Sequence, residues 1–354
     1  MSVEAPSTPW PTAHGPAPAR GRIRVEPEDF RVEEVLGFEP DGAGAHLLLT
    51  VEKRGANTGW VAAALARAAG VHPREIGYCG HKDRQALAVQ AFTLPLPLGR
   101  PLEPWLEHAG EGYRVIGAAR HGRKLRPGSH RDNRFTLRVR ALEGARDALE
   151  ARLALIAARG VPNYFGPQRF GRGGANLARA RAWAEGGAPP RERSQRGFAL
   201  SAARSHLFNN VLGARIASGD WDRLRPGEAV LLDGRRSFFA APVIDATLEE
   251  RCATMDVHPS GPLPGREPSP ATGAALELES AVLATEPALL ALLVAEGLEH
   301  ERRSLRLPVR ELAWRLEGEE LVVSFVLPRG SFATAVLHEL LVGAWEAAGE
   351  GGEE

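Results

Sequence analysis

The chain has 354 residues and a mass of 38.1 kDa, enough for two domains with separate cores. Lys plus Arg and Asp plus Glu both number 44, so bulk charge marks no polyanionic partner. Two cysteines, Cys79 and Cys252, exclude a disulfide framework and predict a reducing, cytoplasmic setting; no apolar run is long enough to span a membrane.

The first 20 residues hold five prolines, with neither a basic start nor an apolar middle, and predict a disordered extension. Alternating runs at Ile23–Val25 and Leu47–Val51, separated by Pro40-Asp41-Gly42, predict strands. Asn57 or Thr58 caps a helix with apolar positions Val61, Ala64, Leu65 and Ala68, ended by Gly70. Strand-like runs at Ile76–Cys79 and Ala88–Leu94 flank a short polar break. Phe135–Ala141 reads as another strand, and Leu149, Leu153 and Ile156 mark a helix stopped by Gly160.

Beyond Gly160 helices dominate, at Asn176–Glu185, Ser201–Ser218 and Glu286–Glu296, with a strand pair at Ala229–Leu232 and Ser237–Ala241. The proline-rich segment His258–Gly273 predicts a long loop. Strands Glu311–Leu316 and Leu321–Leu327 and a helix Thr334–Trp345 close the chain, before an acidic tail with Glu346, Glu350, Glu353 and Glu354. The pattern predicts an α+β fold with antiparallel pairs more than a parallel sheet. Residues 21–158 plus 305–354 would form one discontinuous domain, interrupted by a mostly helical insertion at 159–304.

The polar break is the most informative segment. In Gly80-His81-Lys82-Asp83-Arg84-Gln85-Ala86 a carboxylate sits between two permanent cations. Lysine occurs only at Lys53, Lys82 and Lys124, against 41 arginines, so a lysine beside this aspartate hints at chemistry. The bland alternative is a solvated loop with a weak surface ion pair. From Tyr113 to Arg140 nine Arg or Lys face one acid, Asp132, a local charge of +8 suited to a phosphate backbone or to an ordinary solvated surface. The eleven histidines form no HxxxH pair and no CxxC accompanies them, so no metal is expected. No P-loop is present, and Gly171-x-Gly173-Gly174 lacks the strand and spacing of a dinucleotide fingerprint, so no cofactor is expected either.

Gly80-x-Lys82-Asp83-Arg84-x-Ala86 with Gln90 resembles the signature of the TruD family of tRNA pseudouridine synthases. Five further segments resemble that family in the same order. They begin with Pro27-Glu28-Asp29-Phe30-x-Val32-Glu33-Glu34, then Arg123-Lys124-Leu125-Arg126 leading to Asn133-Arg134-Phe135. Asn163–Gly171, Ser201–Asn209 and Leu327–Thr334 follow. The resemblance implies a pseudouridine-synthase-type catalytic domain with an inserted TRUD domain. It also implies an isomerase that converts uridine to pseudouridine in tRNA, at position thirteen of the D arm. Such a protein takes tRNA as partner, needs no obligatory protein partner, and is expected to be a monomer.

By the same resemblance Asp83 is the catalytic carboxylate, acting as nucleophile or base on a flipped-out uridine. Arg24 stands where lysine is expected in relatives, and it and Lys82 count among the expected substrate-binding residues; Lys82 and Arg84 adjoin Asp83 in sequence, but neighbours on an extended chain point to opposite faces, so neither is assured contact with it. Phe30, Phe135 and Phe332 are the matched aromatics and Asn133 the matched polar reader of the base; judged singly, each phenylalanine reads more readily as core. Arg123, Lys124, Arg126 and Arg169 are the expected RNA contacts. A non-catalytic RNA-binding protein would use the same basic tract, but has no need of a carboxylate facing an anionic ligand. A glycosidase-like hydrolase would need a second carboxylate, which the motif does not supply locally.

Overall fold

The computed structural model describes residues 10–344. Trp345, the acidic tail and the first nine residues of the expected extension lie outside these. Two compact units are present among the described residues: 20–143 with 310–330, and 10–19 with 144–309 and 331–344. The helix Arg146–Arg159 and the closing helix Ala333–Leu340, grouped with the catalytic domain from sequence, thus belong to the second unit.

The first unit is built on a ten-stranded sheet. Its strands in chain order are β1 (Ala19–Arg22), β2 (Phe30–Val35), β3 (His46–Arg54), β4 (Gly77–Tyr78), β5 (Leu87–Pro95), β6 (Ala109–Gly110), β7 (Tyr113–His121) and β8 (Asp132–Gly144). The hairpin Arg310–Glu317/Glu320–Pro328 extends the sheet from β8, and the order continues β2-β5-β3-β7-β6. β2 and β5 run parallel, whereas the pairs from the hairpin through β8 to β2, and from β5 through β3 to β7, are antiparallel. This is the α+β, mainly antiparallel class the sequence predicts. The expected strand at Ile23–Val25 does not form: Arg24 has φ 58°, a left-handed conformation that interrupts extended pairing.

Helix α1 (Thr58–Ala69) starts where its sequence predicts and ends at Gly70, whose φ of 68° closes the helix. Val61 and Leu65 are fully buried against Leu47, Leu49, Phe92 and Leu94. Burying side chains of this size contributes about 1.5–3 kcal/mol each, which fastens α1 and the loop before it to β3 and β5.

The second unit is mostly helical, around Ala180, Ala199, Ala203, Leu207, Leu289 and Leu293. The expected strand pair appears at Glu228–Leu232 and Phe238–Ala241. His258–Gly273 is not all loop, because Ser260–Leu263 pairs with Glu301–Ser304. A two-stranded pair leaves edges free, where a proline without an N–H is tolerated. Residues 10–19 are not a free arm. The Ala13 and His14 amides donate to the Glu339 carboxylate at 2.7 and 3.2 Å, Arg152 donates to the His14 and Pro16 carbonyls, and Trp10 stacks on Tyr164. Among the described residues no single helix is long and apolar enough to cross a membrane; one pair, Gly273–Leu283 with Pro287–Ala295, reaches that length only with a 100° bend.

Candidate active site

Residues 80–86 turn between β4 and β5, and four polar side chains support that turn from within. Lys53, at the end of β3, is 1% exposed. Its ammonium donates to the carbonyls of Ala56 (2.9 Å), Lys82 (3.2 Å) and Asp83 (3.0 Å). Thr58 Oγ1, in the first turn of α1, accepts from the Lys82 amide and donates to Gln90 Oε1, both at 3.0 Å. Gln90 Nε2 donates to the Gly80 carbonyl and to Glu34 Oε1. Glu34 also accepts from the Ala91 amide and from Lys82 Nζ at 2.5 Å. The loop is therefore fixed through its main chain, which leaves the Asp83 side chain to face elsewhere.

The Asp83 carboxylate is held at both oxygens. Arg24 Nη2 lies 3.0 Å from Oδ2, and Oδ1 accepts the Gln85 amide at 3.0 Å. The left-handed backbone at Arg24 turns its side chain to this position, with the guanidinium 4.4 Å from the Phe30 ring centroid. Burial pulls the Arg24 guanidinium below its usual range, and the Asp83 charge opposes that shift. Its Nε and Nη1 are buried without a hydrogen-bond partner. Burial likewise brings Lys53 down to about 8, opposed by the charges of Asp83 and Glu34 and reinforced by Lys82.

The structure brings together Asp83, Arg24, Phe30 and Phe135. Phe30 meets Phe135 edge-on at 6.1 Å, and Phe135 rests on the buried Phe325. Asn133 lies directly across from Glu34 in the β2–β8 register, and its Oδ1 is buried with no hydrogen-bond partner. The Lys82 ammonium turns inward to Glu34 and not to Asp83. Neighbouring side chains on an extended backbone take opposite faces. Phe332 and Arg169 belong to the second unit. Phe332 is half-buried before the helix Ala333–Leu340, and Arg169 bonds Ser201 Oγ with its guanidinium 5.2 Å from the Phe165 ring.

The basic tract is largely neutralised by strand pairing. Arg114, Arg131, Arg134, Arg138 and Arg140 form ion pairs with Glu52, Asp132, Glu311, Glu320 and Asp29. Arg123 and Arg126 are exposed with no side-chain partner among the described residues, and Lys124 donates only to the Arg74 carbonyl. This loop is pinned beside the Asp83 turn, because Gly128 N donates to Cys79 O at 2.7 Å and Leu125 N to Thr93 Oγ1. A side chain at Gly77 would meet Leu125 O at 2.5 Å, so glycine permits that approach.

Glu34, Cys79 and His130 place three potential ligand atoms within 4.8 Å of one another. Burial pushes the Cys79 thiol up to about 12, and Glu34 is already neutralised by Lys82. A metal there would have to displace that ion pair, so the donor set does not fit one.

The candidate site is thus a turn presenting a carboxylate against a buried guanidinium, with aromatic rings and a cationic loop alongside, an arrangement of enzyme type. The family model for tRNA pseudouridine synthase D (TruD) matches residues 13–177 and 192–340. A tRNA pseudouridine synthase D of Pseudomonas syringae pv. tomato is 47% identical over 333 residues, 94% of each chain. That of Methylococcus capsulatus is 46% identical over 335 residues, again 94% of each. A solved structure of a putative tRNA pseudouridine synthase D from Methanosarcina mazei matches the fold with a TM-score of 0.71 at 21% identity, covering 96% of each chain. The chain belongs to the tRNA pseudouridine synthase D family.

Proposed function

We propose that this protein isomerises uridine to pseudouridine in tRNA, at position thirteen of the D arm, with Asp83 as the catalytic residue. The reaction breaks the bond between ribose C1′ and uracil N1, rotates the base, and rejoins C1′ to C5; C5 loses a proton and N1 gains one. It is balanced without an oxidant, a reductant or a group donor. It does require a carboxylate beside C1′ in a site closed to water, and a pocket that keeps the detached base.

The observation that carries the reading is the Arg24–Asp83 pair, set on a turn whose main chain is tied down by buried groups. A carboxylate so placed serves as nucleophile or as base. Phe30 and Phe135 are buried, 6% and 7% exposed, and back the carboxylate as an apolar wall, while the unpartnered Asn133 Oδ1 is an acceptor suited to a uracil N–H. Arg123, Lys124 and Arg126 supply phosphate contacts beside the turn. The non-catalytic reading leaves the fixed carboxylate without a purpose, since it would repel an RNA backbone. Incubating unmodified tRNA with the protein and mapping carbodiimide-blocked primer extension tests this. A stop at position thirteen is expected, and its absence, with tRNA bound, would leave only an RNA-binding protein.

A further inference from the structure

Buried ammonium groups ordinarily meet a carboxylate, because desolvating a lone charge is costly. Lys53 has no carboxylate within ion-pair distance among the described residues. Its three donors are all taken by main-chain carbonyls, and two of these belong to Lys82 and Asp83. Those two peptide groups set the direction in which the Asp83 Cα–Cβ bond leaves the loop. A fully buried charge is thus devoted to holding one turn of backbone.

We propose that Lys53 is a positioning residue of the reaction: its ammonium, clamped on the Lys82 and Asp83 carbonyls, aims the Asp83 carboxylate, and the loop is competent only while that ammonium is charged. The inference rests on the reading of Asp83 as the catalytic residue and adds to it a group that touches no substrate. Deprotonation removes one of three donors and the charge that binds the carbonyl dipoles, so one carbonyl must be released. The charged groups facing Lys53 are Asp83 and Lys82 on the loop and Glu34 on β2. Asp83 and Glu34 support its charge, whereas Lys82 and burial oppose it, which brings the transition to about 8. A lysine at the end of a strand, in a chain that writes 41 of its 44 strong cations as arginine, fits a site where a compact, three-donor cation is required.

The test compares wild type with Lys53→Met by single-turnover rate on unmodified tRNA, tRNA affinity and melting temperature, from pH 6 to pH 10. The variant should bind tRNA as wild type does yet turn over about a hundredfold more slowly, the scale of a small misplacement of a reacting group. Wild-type turnover should fall through an alkaline limb near pH 8 while the protein stays folded, and the variant's residual turnover should lack that limb. A limb shared by both proteins would belong to the substrate or another group and would overturn the inference, as would wild-type rates in the variant. Should Lys53→Met fail to fold, hydrogen exchange of the wild-type segment 80–86 decides. Its protection should drop through pH 8 beyond the intrinsic pH dependence of exchange, and constant protection would overturn the proposal. That readout needs no substrate, so it stands even if wild type makes no pseudouridine, an outcome that would strike the isomerase reading instead.

Discussion

Two buried clusters, one in each unit, treat their cations differently. In the second, Arg302 donates to both oxygens of Glu279 at 2.6 and 2.9 Å and to Ser260, and Arg215 pairs with Glu228 at 3.0 Å and with Asp220 at 3.1 Å. Both guanidiniums are almost fully buried, and each meets carboxylates as well as main-chain carbonyls. In the first, Lys53 faces only carbonyls, and Arg24 meets one carboxylate oxygen while two of its nitrogens have no partner. Saturated pairs hold a fold together; a buried cation with spare capacity beside a partly open carboxylate is the arrangement that the chemistry proposed for Asp83 calls for.

Breaking the saturated side should cost stability and nothing else. Glu279→Gln leaves the Arg302 guanidinium buried without its counter-charge, so about 3–5 kcal/mol of stability should be lost. Thermal or urea melting reads this, and activity per folded molecule should match wild type. A variant that melts normally would show that the contrast between the units is only geometric.

The exposed cations sharpen the contrast from the other side. Arg123→Glu with Arg126→Glu should weaken tRNA binding and flatten its salt dependence, by about 0.7–0.9 in the slope of log affinity against log salt for each phosphate no longer neutralised. Arg138→Gln, whose side chain is already paired with Glu320, should leave that slope unchanged. Equal slopes in all three proteins would make the 122–126 loop an ordinary solvated surface.

Smaller effects are expected within the site. Arg24→Lys keeps the charge beside Asp83 but gives up the planar contact with Phe30, worth about 0.5–2 kcal/mol. Turnover should fall by no more than about tenfold, a loss of about 1.4 kcal/mol, and the carbodiimide assay reads it directly. For Lys53 the sign of the stability effect is fixed by its pKa. The folded value of about 8 lies below the ordinary 10.5, so between these the unfolded chain holds the extra proton and stability rises with pH. Wild type should therefore gain stability relative to Lys53→Met from pH 8 to pH 10 in parallel melts, while losing turnover over the same range.

Much of this was legible from sequence, and the gaps have physical causes. The polar break, the flanking strands and α1 follow from local periodicity, and Asp83 from its motif. Its partner was not readable from spacing, because Lys82 and Arg84 are neighbours only along the chain. Arg24 reaches Asp83 through a left-handed residue in a segment that otherwise reads as strand. Lys53 lay just beyond the strand read at Leu47–Val51, and its rarity was the one available signal. Glu34 and Gln90 stood inside recognised motifs without a role, since their work is to hold a loop folded over them. The charge of +8 over Tyr113–Arg140 overstated the free cations because antiparallel pairing brings Glu52, Glu311 and Glu320 across from it. A boundary between 158 and 159 follows the change in sequence character, whereas the helix before it carries Arg152, which donates to the Glu339 carbonyl within the second unit.

The proposed reaction stands or falls on the Asp83 carboxylate performing the chemistry. Asp83→Asn should be matched with wild type for folded protein, then measured for tRNA affinity and for pseudouridine formed at saturating enzyme. Removing one negative charge does not weaken binding to a polyanion, so affinity should stay within a few-fold of wild type while product is absent even after long incubation. Product accumulating to the wild-type end point would contradict the claim and move the chemistry to another residue.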